Sequence, residues 1–297
     1  MEIWAQEGMD RFNARTNGAY KMQIFPGGQL AAFPESLDAI RTGSIEAGMI
    51  PLAAFAGTVP EFSLPELPFL WASDWANHYA MPQLTEIFNP LLQEKANQRT
   101  LGCFTVGTLN LLSKKQIKTL EDLEGIVIGC DTPPMAALFE ALGGTGIIVD
   151  FTEDYSSLQK GIIDAKTLAP PYILITKMYE VATYYTTFHA LGTLYSFNIN
   201  SDVYNKMPDD VKQALNEEMA ATAAFIGEKK VDEYYDLQDD LVDNGVVIYH
   251  ITEAERDRWK SLAYPGTLGA LEQFGDVGAK VKQIADEANA KFPYKPE

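Results

Sequence analysis

Apolar and polar positions alternate along this chain in two rhythms, one helical and one of period two, that replace each other many times. Residues 3–16 read as a helix with Ile3, Trp4 and Phe12 on the inward face, stopped by Asn17-Gly18. Tyr20 to Phe25 alternates as a strand and Pro26-Gly27-Gly28 turns it. A helix over 34–42, closed by Gly43, precedes a strand at 45–50. Segment 58–75 is dense in proline and aromatic residues, and predicts a packed loop of short turns whose aromatics face either the core or a pocket. Beyond it the pattern gives helix 77–98, strand 100–106, strand 126–129, helix 134–142, strand 147–151, helix 153–160, strand 162–165 and helix 170–183.

The longest helical stripe follows Met207-Pro208. Val211, Leu215, Met219, Thr222, Phe225 and Ile226 keep the 3.6-residue period, which resumes at Val231, Tyr234, Leu237 and Leu241 and ends at Asn244-Gly245. Pro208 starts this helix where a missing N–H costs nothing. At 1.5 Å per residue it spans roughly 50 Å, enough to run behind two packed units as a spine. Segment 253–292 closes the chain as an amphipathic helical region with Trp259, Leu262, Leu268 and Phe274 as apolar members.

Two stretches repeat one small design. Ala39-Ile40-Arg41-Thr42-Gly43-Ser44-Ile45-Glu46-Ala47 and Ser157-Leu158-Gln159-Lys160-Gly161-Ile162-Ile163-Asp164-Ala165 each read as a helix end, a glycine in the left-handed capping position and a strand entry. Their matching places predict an α/β fold of two lobes with a cleft between them, where small molecules preferentially bind. A length of 297 residues suits two lobes.

The formal net charge of −18 argues against nucleic acid and anionic membrane surfaces as partners, because both reward Lys and Arg. An acidic surface solvates the protein and suits a salt-rich source; an acidic face aimed at a partner or cation is the alternative. No apolar run reaches the 18 residues of a membrane span. Met1-Glu2-Ile3-Trp4 opens directly into helical spacing, with no signal peptide visible. Cys103 and Cys130 sit in apolar segments as small hydrophobes; a disulfide between them is the alternative in an exported protein.

Catalytic patterns are absent from the sequence. Gly143-Gly144-Thr145-Gly146 follows a helix and opens into a strand, the wrong order for a phosphate cradle, and reads as a helix cap and turn. There is no G-x-S-x-G elbow, H-E-x-x-H pair, Walker lysine or EF-hand loop. His78, His189 and His250 lie far apart and read as packing or surface residues; no metal or cofactor is expected. The acid pairs Asp209-Asp210, Glu217-Glu218 and Asp239-Asp240 read as solvated faces of the long helix.

A resemblance adds what periodicity does not give. Phe25-Pro26-Gly27-Gly28-Gln29-Leu30, Leu64-Pro65-Glu66-Leu67-Pro68-Phe69, Ile117-Lys118-Thr119-Leu120-Glu121-Asp122-Leu123-Glu124-Gly125, Leu158 to Ala165 and Lys177-Met178-Tyr179-Glu180-Val181 occur in one order across nearly the whole chain. In that order they resemble the DctP-type solute-binding proteins of tripartite ATP-independent periplasmic (TRAP) transporters. The resemblance implies a two-lobed periplasmic-binding-protein architecture that closes on a small solute and delivers it to membrane permease subunits. It implies a periplasmic location, no enzymatic activity, no cofactor and a monomer that does not insert into the membrane. It places one lobe at 1–106 plus 195–234 and the other at 107–194 plus 235–297, with hinge strands near 104–108 and 194–200 and the long helix at about 209–244. The chain starts at what looks like the family's first helix, so the family's usual first strand, which helps line the cleft, is not in this sequence.

Departures from the family pattern bear on the ligand. The family typically holds an organic acid with an arginine at the end of the strand after the Leu-Glu-Gly turn; here Ile126-Val127-Ile128-Gly129-Cys130-Asp131 puts Gly129 in that place. A second family arginine follows the Gly-Thr of the preceding strand, where Gly107-Thr108 is followed by Leu109. The family's asparagine is also replaced, since Asp164-Ala165-Lys166-Thr167 runs into Leu168. An anion buried without a charge partner is costly by several kcal/mol. A neutral or cationic ligand is therefore expected, with Asp131 and Asp150 as the nearest acids. Phe151, Tyr172, Tyr195 and Phe55 fall where family pockets present aromatics, whose faces attract ammonium groups. A small amine or amino alcohol is the favoured ligand; an aromatic or neutral polyol is the alternative. A ligand sensor or an enzyme on the same scaffold is the rival class, although no signalling module or reactive cluster is recognisable.

Overall fold

A computed structural model of the chain describes residues 1–31 and 33–296, the side chains of residues 33 and 34 apart. The helices are α1 Glu2–Arg15, α2 Phe33–Thr42, α3 Asp74–Ala96, α4 Pro133–Ala141, α5 Asp154–Lys160, α6 Pro170–Ile175, α7 Ser201–Asn205, α8 Asp209–Asp243, α9 Glu253–Gln273 and α10 Gly275–Lys291. The strands are β1 Ala47–Pro51, β2 Gln98–Ser113, β3 Val127–Cys130, β4 Thr145–Ile148, β5 Ala165–Leu168, β6 Tyr184–Asn200 and β7 Val247–His250.

Two long antiparallel strands organise the molecule. β2 and β6 pair along their whole length, from Gln98 opposite Asn200 to Ser113 opposite Tyr184. β1 joins β6 at one end, and β5, β3 and β4 extend the sheet from β2 at the other, giving the order β1-β6-β2-β5-β3-β4 with β7 on β6. Between the two ends the β2–β6 register slips twice, between Thr105 and Thr108 and between Leu109 and Leu111. Gly107 takes φ 102° within the first slip, a conformation that favours glycine, and His189 on the facing strand takes φ 46°.

Each end has its own core. At the first, Phe55, Phe62, Phe88 and Leu92 pack on one sheet face and Phe12, Phe104, Phe197 and Met219 on the other. At the second, Ile128, Phe139, Phe188 and Trp259 cover one face and Leu158, Ile163, Tyr185 and Leu241 the other. α8 serves both: Val211 to Ile226 lie in a core of the first end and Leu241 in a core of the second. This is the predicted α/β arrangement of two lobes joined by crossing strands and a spine.

The structure corrects several sequence expectations. Leu271, Val281, Ala285 and Ala288 pack into the first-end core, so α10 departs from the placement of 235–297 in the second lobe. Ile3 is exposed, and Phe225 is partly exposed with its ring edge-on to Trp4 at 6.3 Å. Glu217 and Glu218 are not merely solvated: Arg11 and Arg15 bond to them and dock α1 on α8. Cys103 and Cys130 are both free and buried. The expected helix 170–183 stops at Ile175, and the segment 184–200, rich in threonine and aromatics, becomes the longest strand. Tyr20, Met22 and Ile24 turn toward the core as a strand would, yet the segment joins no sheet ladder; Asn13 bonds both the N–H and the carbonyl of Met22. A mainly apolar cavity of about 890 Å³ lies between this segment, α1 and β1, wholly within one lobe.

Polar groups fix the crossing point. Thr108 bonds to Asp74 at 3.3 Å and to Nδ1 of His189 at 3.2 Å, while Asn110 donates to the Tyr234 hydroxyl at 2.6 Å and accepts from the backbone of Phe188 and His189. Arg256, almost fully buried, donates to the carbonyls of Phe188, His189 and Trp71, each at 3.0 Å. Its burial lowers the guanidinium to about 10.

Candidate functional site

The strand ends of the second lobe build a cavity of about 480 Å³. β3 and β5 are parallel, as are β3 and β4, and ligands of such sheets bind outside the carboxyl ends of the strands. Asp131 follows β3, Asp150 and Phe151 follow β4, Leu168 ends β5, Tyr172 lies on α6 and Leu109 on β2; all six line this one cavity. Thr167 and Asp154 join them there.

Local chemistry sets each group. Asp150 accepts from the backbone N–H and hydroxyl of Thr152, at 2.9 and 2.6 Å, and these bonds hold its carboxyl below the usual range. The Tyr172 hydroxyl donates to the Phe151 carbonyl at 3.0 Å, which seats the partly buried ring of Tyr172 beside the exposed ring of Phe151. Phe151 is 64% exposed, so an apolar face stands open at the cavity mouth.

Beneath the cavity lies a cation that sequence reasoning missed. Lys166 is fully buried, and its Nζ lies 2.5 Å from Oδ1 of Asp131 and 3.1 Å from Oδ1 of Asp154. Gly129 and Lys166 are register partners on β3 and β5. A Cβ on Gly129 would meet Cδ of Lys166 at 3.0 Å and Cδ1 of Ile163 at 2.8 Å, so the bare glycine is what lets the lysine stem pass. Asp154 is buried and its carboxylate has no hydrogen bond among the described residues beyond this ion pair. Desolvation pushes it up to about 6, against the pull of Lys166.

Two expected aromatic contacts lie elsewhere. Phe55 is fully buried in the first-lobe core against Phe62, with ring centroids 4.9 Å apart, and presents no face to a solute. Tyr195 stacks on Phe104 at 6.1 Å, on β6 and outside the cavity lining. Gly129 is buried behind the cavity wall and acts through Lys166 rather than by contact. The premise that all donors for an acid were lost is also corrected: one ammonium remains, on the neighbouring strand. Lys166 stood in plain view in the sequence, but the strand was placed at 162–165 instead of Ala165–Leu168, which hid its pairing with Gly129.

Glu66 sits at the end of the turn that follows Pro60, hemmed in by apolar neighbours although part of its area stays open. It accepts the Leu194 N–H at 3.0 Å, and desolvation raises its carboxyl from 4.5 to about 7.

A two-lobed α/β fold with a cavity at its strand ends is the architecture of the solute-binding receptors. The chain belongs to the bacterial extracellular solute-binding proteins of family 7, whose profile matches residues 5–267. Among curated relatives, the C4-dicarboxylate-binding periplasmic protein DctP of Rhodobacter capsulatus is 25% identical over 278 residues, 92% of this chain and 83% of that protein. YiiZ of Salmonella typhimurium is 30% identical over 176 residues, 58% of this chain and 54% of that protein. A TRAP periplasmic solute-binding protein of Rhodobacter sphaeroides, solved in an apo open form, superposes with a TM-score of 0.89 at 24% identity, covering 96% of this chain and 94% of that one. One from Sulfitobacter with bound β-D-galacturonate gives 0.77 at 20% identity, covering 94% of each chain. The family and these neighbours are receptors rather than enzymes. Among the described residues no helix is long and apolar enough to cross a membrane.

Proposed function

We propose that this chain is the periplasmic receptor of a TRAP-type transporter, acting as a monomer that encloses a small solute between its lobes and hands it to the permease subunits. The cavity at the ends of β3, β4 and β5 is the solute site, with Asp131, Asp150, Phe151, Tyr172, Leu109 and Leu168 as its lining. The slips in β2 and β6 near Gly107 and His189 serve as the hinge, and the higher superposition on the apo open relative supports reading this arrangement as the open form.

The solute in this reading is a small non-carboxylate molecule, an amine or amino alcohol. One observation carries it: three carboxylates, Asp131, Asp150 and Asp154, face one ammonium whose charge is already engaged by two of them. An added carboxylate would enter a negative site, whereas an ammonium would find acceptors and the face of Phe151. The galacturonate held by the Sulfitobacter protein lends this choice no support. A second reading, an acidic solute paired with Lys166, is favoured by the 40% exposure of the Asp131 side chain, which leaves that carboxylate free to yield its place.

A thermal-shift panel separates the two. Ethanolamine, choline, neutral polyols, acetate and D-galacturonate are compared at neutral pH. A solute at 100 times its dissociation constant stabilises by about 2.7 kcal/mol, a melting shift of roughly 5–10 °C. Shifts with the acids and none with the amines would replace the first reading by the second.

A further inference from the structure

The three members of the Lys166 cluster are not equivalent. Asp154, buried although it too lines the cavity, lies 3.1 Å from the ammonium with no hydrogen bond of its own. It cannot leave without stranding a charge in apolar surroundings. Asp131 lies on the cavity side of the same ammonium, 2.5 Å away, with its side chain 40% exposed. The bond to Lys166 is its side chain's one hydrogen bond among the described residues. An exposed carboxylate loses little on rotating into water, because its hydration replaces the pair. The ammonium, fully buried, has no such exchange open to it and needs an acceptor in the place Asp131 now fills.

We propose that Asp131 masks an anion subsite on Lys166: a carboxylate of the protein's own stands where an acidic group of a solute would otherwise sit, and the pair decides which charge the cavity accepts. The inference rests on the reading of this cavity as the solute site, but not on the solute being an amine. Gly129 makes the subsite possible by leaving room for the lysine stem, and Asp154 pairs with the ammonium at 3.1 Å. Neutralising Asp131 leaves Lys166 charge-balanced by Asp154, with the Val149 carbonyl at 3.5 Å as its other acceptor, so the pair no longer carries an excess negative charge beside the cavity. Neutralising Lys166 removes the subsite and leaves Asp131 and Asp154 uncompensated. Lys166 is thus a specificity-determining residue that acts by charge.

Calorimetry on the intact chain tests this with acetate and D-galacturonate as acidic probes and ethanolamine and choline as amine probes. The proteins are the wild type, Asp131→Asn, Lys166→Met, and the double variants Asp131→Asn/Lys166→Met and Asp131→Asn/Lys166→Arg, with Asp209→Asn on the exposed start of α8 as control. Asp131→Asn is expected to gain roughly thirtyfold or more in affinity for at least one acid and to weaken any amine, the scale of one close charge pair. The double variant with Lys166→Met loses that gain. Lys166→Arg keeps the charge and, in the Asp131→Asn background, keeps acid binding. Asp131→Asn with acid affinity within twofold of the wild type overturns the masking, as does an acid gain that survives in the double variant with Lys166→Met. If Lys166→Met does not fold, Lys166→Gln in the Asp131→Asn background takes its place, and an acid gain that survives it overturns the masking. Acid binding by Asp131→Asn while the wild type takes no amine sustains the masking and sinks the amine reading. No binding of any probe to any protein removes the cavity as the solute site, and the masked subsite with it.

Discussion

Glu66→Gln separates the effect of one confined charge from the rest of its surroundings. In the folded chain the Glu66 carboxyl titrates at about 7 instead of 4.5, because desolvation outweighs the single N–H it receives from Leu194. A carboxyl with a raised folded pKa binds its proton more tightly folded than unfolded. Its contribution is fully present below pH 4.5 and is lost as pH rises through 7. At about 1.36 kcal/mol per pKa unit the loss is roughly 3 kcal/mol. Glutamine is neutral throughout and keeps an oxygen to accept the Leu194 N–H. Wild type and variant should therefore be equally stable at pH 4.5, and the variant more stable by about 3 kcal/mol at pH 8. On a chain of this size that is roughly 6–10 °C in melting temperature. Asp154, raised from 3.8 to about 6 by burial, adds a loss of the same sign at lower pH in both proteins, so the difference between them isolates Glu66. Urea melts at pH 4.5, 6, 7 and 8 supply the measurement. Parallel pH profiles for the two proteins would show that Glu66 is ionised at no cost, and the reasoning from its surroundings would fail.

Gly129→Ala should lower the melting temperature, since its Cβ would press on Ile163 and on the Lys166 stem, an overpacking cost of about 1–3 kcal/mol. Phe55→Ala should destabilise by about 3–5 kcal/mol in denaturant melts yet leave solute affinity unchanged once folded, because the ring is core and not lining. Arg256→Met should cost about 3 kcal/mol or more, as three buried carbonyls lose their donor together; a change under 1 kcal/mol would mean that water replaces the guanidinium.

The alternation of helices and strands, the repeated glycine turn and the long stripe after Pro208 were legible because each is a local consequence of spacing and capping. α8 runs Asp209–Asp243 almost as its stripe predicts. What sequence could not carry was pairing. β6 buries nearly every residue of Tyr184–Asn200, so it shows no alternation, and its chemistry reads as strand only once β2 lies beside it. Tyr20 to Phe25 shows the opposite failure: its alternation reports a face turned inward but names no ladder partner, and the segment stays outside the sheet. Among site residues, Asp131, Asp150, Phe151, Tyr172, Leu109 and Leu168 share one cavity because each stands at or near a strand end that the pattern could locate. Phe55 and Tyr195 do not, because an aromatic side chain at a turn or on a long strand carries the same sequence signal in a core as in a pocket.

The charge of the site shows why residue type alone misleads. A glycine in place of an arginine, taken by itself, predicts a pocket without a cation. Parallel strands lie about 4.8 Å apart, however, and a register partner can supply across that gap what a position has lost. Gly129 and Lys166 are such partners, and the space freed by one is filled by the stem of the other. Lys166 thus supplies a positive charge on the strand beside Gly129. That charge is fully buried, with Asp131 at 2.5 Å and Asp154 at 3.1 Å. A single buried lysine is thereby paired with two acids, one of them partly exposed. On the proposal that Asp131 masks Lys166, ligand class is set by a four-residue arrangement across two strands, one helix start and one strand end.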